Sequence, residues 1–200
     1  MKKILILFAH PKFEKSRVNK VLIDKVKHIE NVTFHDLYEE YPNFHIDVKR
    51  EQELLLKHDV IIWHHPFYWY SSPAILKQWK DMVLEFNWAH GPTGLALQGK
   101  TALNVITTGG KREIYCATGS NSFTVNEFLR PYEQTANLCG MRFLPPFAVM
   151  GTYSLNDEAL LLYANQYKSL LDFLKGNIDD VNLSNYFFIN DLPILSKHLI

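Results

Sequence analysis

No apolar run in this chain approaches the roughly 20 residues that a helix needs to cross a bilayer, and cysteine is nearly missing, with Cys116 and Cys139 the two in 200 residues. The first absence implies that the chain reaches a membrane, if it does, through a partner. The second excludes a disulfide framework. Without CxxC or Cys/His spacing a structural zinc site is excluded as well, so no metal is expected, and reduced thiols fit a cytoplasmic location. An excess of one charge is also missing, since 21 Lys and Arg balance 21 Asp and Glu. No overall field favours nucleic acid, and charge recognition has to be local. Neither GxGxxG nor GxxxxGK[ST] occurs, which removes the Rossmann dinucleotide fingerprint and the P-loop.

What is present is an ordinary globular composition, 47% hydrophobic and 21% charged, enough for one sizeable core. The start, "MKKILILFAHPKFEKS", has the basic residues and short apolar run of a signal peptide, yet His10, Pro11, Lys12 and Glu14 stand where a cleavage site would be. A buried first strand is expected over residues 3–9 instead. Val18, Val21, Leu22 and Val26 have helical spacing behind Ser16, a good N-cap. Further strands are expected over 32–37, 59–64, 101–107 and 141–150, the last weakened by Pro145 and Pro146. Helices are expected over 48–57, 73–86, 124–138 with an interruption or kink at Pro131, and 157–174 before Gly176. The stretches 38–47 and 87–99 read as loops. Strands alternating with helices imply right-handed crossovers. The fold expected for residues 1–176 is therefore a doubly wound α/β domain, five parallel strands in the order 2-1-3-4-5 with helices on both faces. Residues 177–200, rich in Asn, Asp and aromatics without a period, form a C-terminal extension that could pack on a partner.

Ligands of such sheets bind beyond the carboxyl ends of the strands, where the order reverses, and that rule selects three loops. The first, "HPKFEKSRVN", brings the Ser16 hydroxyl and the amides of Arg17, Val18 and Asn19 to a helix N-terminus, with His10 and Arg17 beside them. It reads equally as a phosphate-sized anion site or as a capped helix with nothing bound. The second, "HPFYWYSSP", sets Phe67, Tyr68, Trp69 and Tyr70 between Pro66 and Pro73. So much ring surface at a strand end calls for a planar ligand or an oligomer interface. The third opens "TTGG", Thr107, Thr108, Gly109 and Gly110, with Tyr115 following, and it suits the polar edge of a heterocycle or an ordinary glycine turn. Together an anion hook, an aromatic wall and a polar backbone edge suit a phosphorylated, flat, redox-active ring.

These segments, "LILFAHP" with "SRVN", "HPFYWYSSPAILKQWKD", and "TTGG" with Tyr115, resemble the flavodoxin-like NAD(P)H:quinone oxidoreductases. "DLYEEYPNFHIDVKREQELL", "GPTG" and "LPPFAVM" are similar to the bacterial ancillary proteins of glutathione-regulated potassium-efflux systems. The resemblance implies a flavin, FMN in preference with FAD left open, and NAD(P)H as co-substrate. It implies that His10, Ser16, Arg17, Val18 and Asn19 hold the flavin phosphate, and that Pro66, Phe67, Tyr68, Trp69 and Tyr70 lie along the isoalloxazine. It further implies that Thr107, Thr108, Gly109 and Gly110 bond its pyrimidine edge and that Tyr115 assists hydride transfer to a quinone in a ping-pong reaction. Asn121 stands where the mammalian enzymes have a histidine, and Tyr68 where glutamine is usual. The implied partners are a second copy of the chain and, as an alternative role, the cytoplasmic domain of a potassium/proton antiporter.

Overall fold

The computed structural model describes residues 1–176, 178, 181–183 and 185–196. Ile4–Phe8 forms β1, and all of it is buried. An unbroken apolar run of this kind belongs to a strand covered on both faces. Val32–Asp36 (β2) pairs with one side of β1 and Val60–Pro66 (β3) with the other, both parallel. Thr101–Thr107 (β4) then follows β3 in register from Val60 opposite Thr101 to Pro66 opposite Thr107. With Arg142–Phe143 (β5) beyond it, the order is β2-β1-β3-β4-β5, the doubly wound arrangement expected.

Alternation along the strands assigns the two layers. Leu5, Leu7, Ile61 and Trp63 face α3 (Val48–Leu56), α4 (Ala74–Val83), α5 (Val125–Phe128) and α6 (Arg130–Leu138). Ile4, Ile6, Phe8 and Ile62 face α1 (Arg17–Val26) and α7 (Asp157–Lys175). Each such side chain is fully or almost fully buried, worth about 1.5–3 kcal/mol apiece.

Several boundaries differ from the sequence reading, each for a local reason. β3 runs on to Pro66, because its register with β4 persists to the loop. α4 ends at Val83 and not at Phe86: Leu84 leaves the helical region, and the Phe86 ring is mostly exposed, so it does not extend the buried face. Of the interruption or kink expected at Pro131, the structure shows an interruption, two residues earlier. The chain breaks at Leu129 and starts α6 at Arg130, with Pro131 in the first turn, where its missing N–H costs nothing. The fifth strand is split. Ala102 opposes Phe143 and Val105 opposes Phe147, so Leu144, Pro145 and Pro146 bulge against Leu103 and Asn104 before Phe147–Val149 (β6) resumes pairing. The expected loop after β2 holds one short helix, α2 (Leu37–Glu40), capped by Asp36.

Beyond Gly176 the described residues return to this chain's own core. Ile178, Leu183, Ile189, Leu192 and Leu195 are buried in the α1/α7 layer. The Asn190 side chain pairs with the amide and carbonyl of Ala148 (2.8 and 3.3 Å), covering the outer edge of β6. The remaining positions of the expected extension, 177, 179, 180, 184 and 197–200, lie outside the described residues.

Two acidic groups are buried on the β2 side. Glu51 accepts from His35 (2.8 Å), Tyr41 (2.6 Å) and Trp79 (2.7 Å). Burial pushes its pKa up, but these donors outweigh it and hold it lowered. Asp36 has weaker support, accepting from the Tyr38 amide at 3.0 Å, and burial raises its pKa from 3.8 to about 6. Between those values the folded state holds a proton that the unfolded chain has released, so stability falls as pH rises through that window. Asp36→Asn keeps a capping oxygen and cannot ionise. It should raise the unfolding free energy at pH 7.5 by about 1–3 kcal/mol and leave it unchanged at pH 3.5. Urea denaturation at both pH values checks this, and equal stability at pH 7.5 would contradict it.

Candidate active site

After β1 the chain passes through a 3₁₀ turn, Phe13–Lys15, and enters α1 with Ser16 as N-cap. The Ser16 hydroxyl accepts from the Asn19 amide (3.3 Å) and from Asn19 Nδ2 (2.9 Å). Asn19 Nδ2 also donates to Thr107 Oγ1 at 3.1 Å, and Asn19 Oδ1 meets His64 Nε2 at 3.0 Å. With both amide hydrogens committed, Oδ1 is the acceptor and His64 Nε2 the donor, which leaves Nδ1 to accept from the Tyr167 hydroxyl at 3.3 Å. His64 is neutral, as its burial requires: its pKa lies well below the usual value. The Ser16 oxygen, filled as an acceptor, keeps its hydrogen for a ligand. The first amides of α1 have no carbonyl within the helix to meet.

His10, nearly buried, accepts the Lys12 amide on Nδ1 at 3.1 Å. Burial lowers its pKa against the pull of Glu14, so it offers a hydrogen bond and not a charge at neutral pH. Arg17 is drawn aside, with one guanidinium nitrogen on Asp157 at 2.6 Å and another on the Leu155 carbonyl. The Val18 side chain is buried in the core, so toward a ligand it presents its backbone.

The aromatic stretch starts where β3 ends. Phe67 donates its amide to the Thr107 carbonyl (2.9 Å), and the chain reverses between Tyr68 and Ser71, whose backbone bond measures 3.0 Å. The two residues at the turn, Trp69 and Tyr70, have φ of 50° and 62°. Positive φ at both positions defines a type I′ turn, normally built from Asn-Gly. Phe67 is buried at 8% exposure, with the Phe128 and Tyr115 rings at 5.9 and 6.0 Å. Tyr70 stacks on Phe128 at 4.9 Å and donates to Asn121 Oδ1 at 3.2 Å. Tyr68 meets the His10 ring edge to face, while Trp69 is 93% exposed. The wall is thus Tyr70, packed on Phe67 and Phe128, and Tyr68 against His10, with Trp69 at the rim.

The third loop is drawn tight by Thr108, whose hydroxyl donates to the Gly110 carbonyl at 2.6 Å. A Cβ on Gly109 would lie 2.4 Å from the Tyr153 ring, and one on Gly110 would lie 2.5 Å from Ile114. A side chain at either position would push aside the exposed Tyr153 ring or the tip of Ile114, so the glycines leave the turn's backbone open to the cavity. Burial raises the Tyr115 pKa against a hydrogen bond with Thr108, so the phenol stays protonated at neutral pH.

The three loops enclose one cavity of about 1150 Å³. His10, Ser16, Arg17, Val18 and Asn19 line it from one side and Pro66, Phe67, Tyr68, Trp69 and Tyr70 from another. Thr107, Gly109, Gly110 and Tyr115 complete the expected set, whereas Thr108 stands behind the turn it braces. Asn121 also reaches the wall. A fourth loop, unforeseen, adds Thr152, Tyr153 and Leu155, and the first loop adds Lys12 and Lys15. The fourth follows β6, and the strand-end rule that selected the others points to it once the split strand is recognised. The basic pair was visible in "HPKFEKS" and supplies the local positive charge that a neutral chain needs for an anion.

Residues 2–171 match the protein-family model described as the flavodoxin-like fold. Among relatives, the chain is 47% identical over 174 residues to an uncharacterized NAD(P)H oxidoreductase, YrkL, of Bacillus subtilis, covering 87% of this chain and 98% of that one. It is 44% identical to the glutathione-regulated potassium-efflux system ancillary protein KefG of Pectobacterium atrosepticum, over 82% of this chain and 90% of that one. Among solved structures, general stress protein 14 of Treponema denticola, in complex with FMN, superposes with a TM-score of 0.82 at 39% identity, covering 86% and 99% of the two chains. An NADPH-quinone reductase from P. pentosaceus gives 0.77 at 35% identity, over 84% and 96%.

The turn at Trp69 and Tyr70 stores strain, since a left-handed non-glycine residue costs about 1–2 kcal/mol. Trp69 is so exposed that removing its side chain forfeits no burial. Trp69→Asn, which tolerates positive φ, should therefore raise the unfolding free energy by about 1 kcal/mol. Denaturant unfolding showing unchanged or lower stability would contradict stored strain at this turn.

Proposed function

The chain belongs to the flavodoxin-like fold family, and from that premise we propose that it is an FMN-dependent NAD(P)H:quinone oxidoreductase working by a ping-pong mechanism. The carrying observation is the Ser16 hydroxyl, filled as an acceptor by Asn19 and set at the N-terminus of α1, opening on the same cavity as the bare backbone of the Gly109–Gly110 turn. The residues present fit FMN. Ser16, the first amides of α1, Lys12 and Lys15 would hold its phosphate, Tyr68 and Tyr70 would flank its ring, and the backbone at Gly109 and Gly110 would meet its pyrimidine edge. FMN is favoured over FAD by the FMN-bound relative from Treponema denticola. When bound, FMN takes two electrons and a proton from NAD(P)H as hydride and returns them to an acceptor, so the protein's part is orientation and electrostatics.

Each group of side chains has a distinct task in that reading. The Asn19 carboxamide fixes Ser16 and Thr107 relative to one another. The aromatic turn excludes water on one side. Tyr115, protonated at neutral pH beside Gly110, can donate a hydrogen bond to an acceptor oxygen over the turn. Nicotinamide and then quinone would occupy the same cavity in succession, and such an exchange gives ping-pong kinetics. The exposed Tyr68, Trp69 and Tyr70 at the rim suit coverage by a second copy of the chain. Sedimentation of the purified protein as a monomer alone would count against that dimer.

The likeness to KefG favours a second role, docking on the cytoplasmic domain of a potassium-efflux antiporter, which would bring the chain to the inner membrane. Among the described residues no helix is long and apolar enough to cross a membrane, so such an association would be peripheral. A Ser16→Ala protein that binds no flavin yet still activates efflux in cells would make docking the primary role. For the oxidoreductase reading, Tyr115→Phe should slow reoxidation of the reduced flavin by menadione about 10- to 100-fold and leave flavin affinity unchanged. Unaltered stopped-flow reoxidation would remove Tyr115 from the reaction.

A further inference from the structure

We propose that the C-terminal segment is a strap that positions the Tyr115 loop, with Asp191 acting through Arg112. Its effect on turnover rests on the oxidoreductase reading, but its geometry does not. The family match ends at residue 171, so the strap lies beyond what the chain shares with that family. Arg112 opens the 3₁₀ turn Arg112–Ile114 immediately before Tyr115. Its guanidinium makes two bonds to the Asp191 carboxylate, 3.1 and 2.9 Å, and lies 4.7 Å from the centre of the Phe188 ring. A forked pair fixes orientation as well as distance, which a lysine could not do.

Asp191 is itself anchored. It ends the 3₁₀ turn Ile189–Asp191, in which Ile189 is fully buried and donates its amide to the Pro146 carbonyl at 3.0 Å. Asn190 holds the edge of β6 through Ala148. A third tie lies just past the other end of the loop, where Asn126 Nδ2 in α5 donates to the Phe187 carbonyl at 3.1 Å. Residues 187–191 thus grip the Tyr115 loop at Arg112 before it and at Asn126 after it. Between these grips the backbone bonds are local, such as Tyr115 to Arg112 (3.1 Å) and Asn121 to Ile114 (3.1 Å). Besides the strap, the loop is placed by Asn121, which accepts from the Tyr70 hydroxyl at 3.2 Å, and by Tyr115 against the Phe67 ring, and the strap adds the ties at its two ends. The phosphate hook at Ser16 belongs to α1, on another element, so the strap acts on the acceptor half of the site and not on cofactor retention.

The test uses the full-length protein and two readouts. In Asp191→Asn, hydrogen exchange of the amides of residues 111–121 should accelerate about two- to fivefold, the scale of a partly exposed ion pair. Asp191→Glu should restore slow exchange, and adding Asp191→Asn to Arg112→Gln should change nothing further. With NADPH and menadione, Asp191→Asn should raise KM for menadione by about two- to fivefold with kcat and bound flavin unchanged. Unaltered exchange would overturn the strap, as would accelerated exchange with an unaltered KM in an active enzyme. Accelerated exchange in a protein with no quinone reductase activity would uphold the strap and count against the oxidoreductase reading.

Discussion

The site depends on one buried side chain. Asn19 carries a single carboxamide into the space between α1, β3 and β4, and it meets Ser16, Thr107 and His64 there with donors and acceptor all used. Three loops that are far apart in sequence start from elements locked to this group. Burial makes the arrangement stringent, because an unpaired member would bear its full desolvation cost. It also removes ambiguity: His64 has to be neutral with its hydrogen on Nε2, and Tyr167 has to donate to the other nitrogen. What α1 offers the cavity, a hydroxyl hydrogen and unsatisfied amides, follows from where Asn19 holds Ser16.

Around that fixed point the chain gives up local comfort for shape. Trp69 and Tyr70 take a turn suited to Asn-Gly, and two glycines stand where any side chain would strike Tyr153 or Ile114. Strain of this kind persists where the surroundings over-determine it. Here Tyr70 is held by Phe128 and Asn121, so the wall is built from the second turn residue while the first projects outward. Asn121 thereby has a structural role in the site: it braces the wall through Tyr70.

The sheet was legible where burial is two-sided. Ile4–Phe8, Val60–Pro66 and Thr101–Thr107 are strands buried from end to end, and their apolar content leaves little choice of element. The turn residues Gly109 and Gly110 and the cap at Ser16 were legible for the same reason, because their chemistry is local. The edge was harder to read. Pro145 and Pro146 marked a weakness, but only the register shows a bulge with pairing resumed at Phe147, and with it the loop that carries Tyr153. Arg17 lines the cavity, but its pairing with Asp157, 140 residues away, could not be read from the sequence. The strap's signal was too short to read: Ile189, Leu192 and Leu195 are buried at a spacing of three from a 3₁₀ turn and a single helical turn, Pro193–Ser196.

The central claim is that this cavity holds FMN through Ser16 and the start of α1. Absorbance of the purified protein, followed by mass identification of the cofactor released on denaturation, tests it most directly. Flavin bands with FMN in stoichiometric amount, lost in Ser16→Ala unless excess FMN is supplied, is the expected result. A colourless protein that takes up neither FMN nor FAD on titration would contradict it.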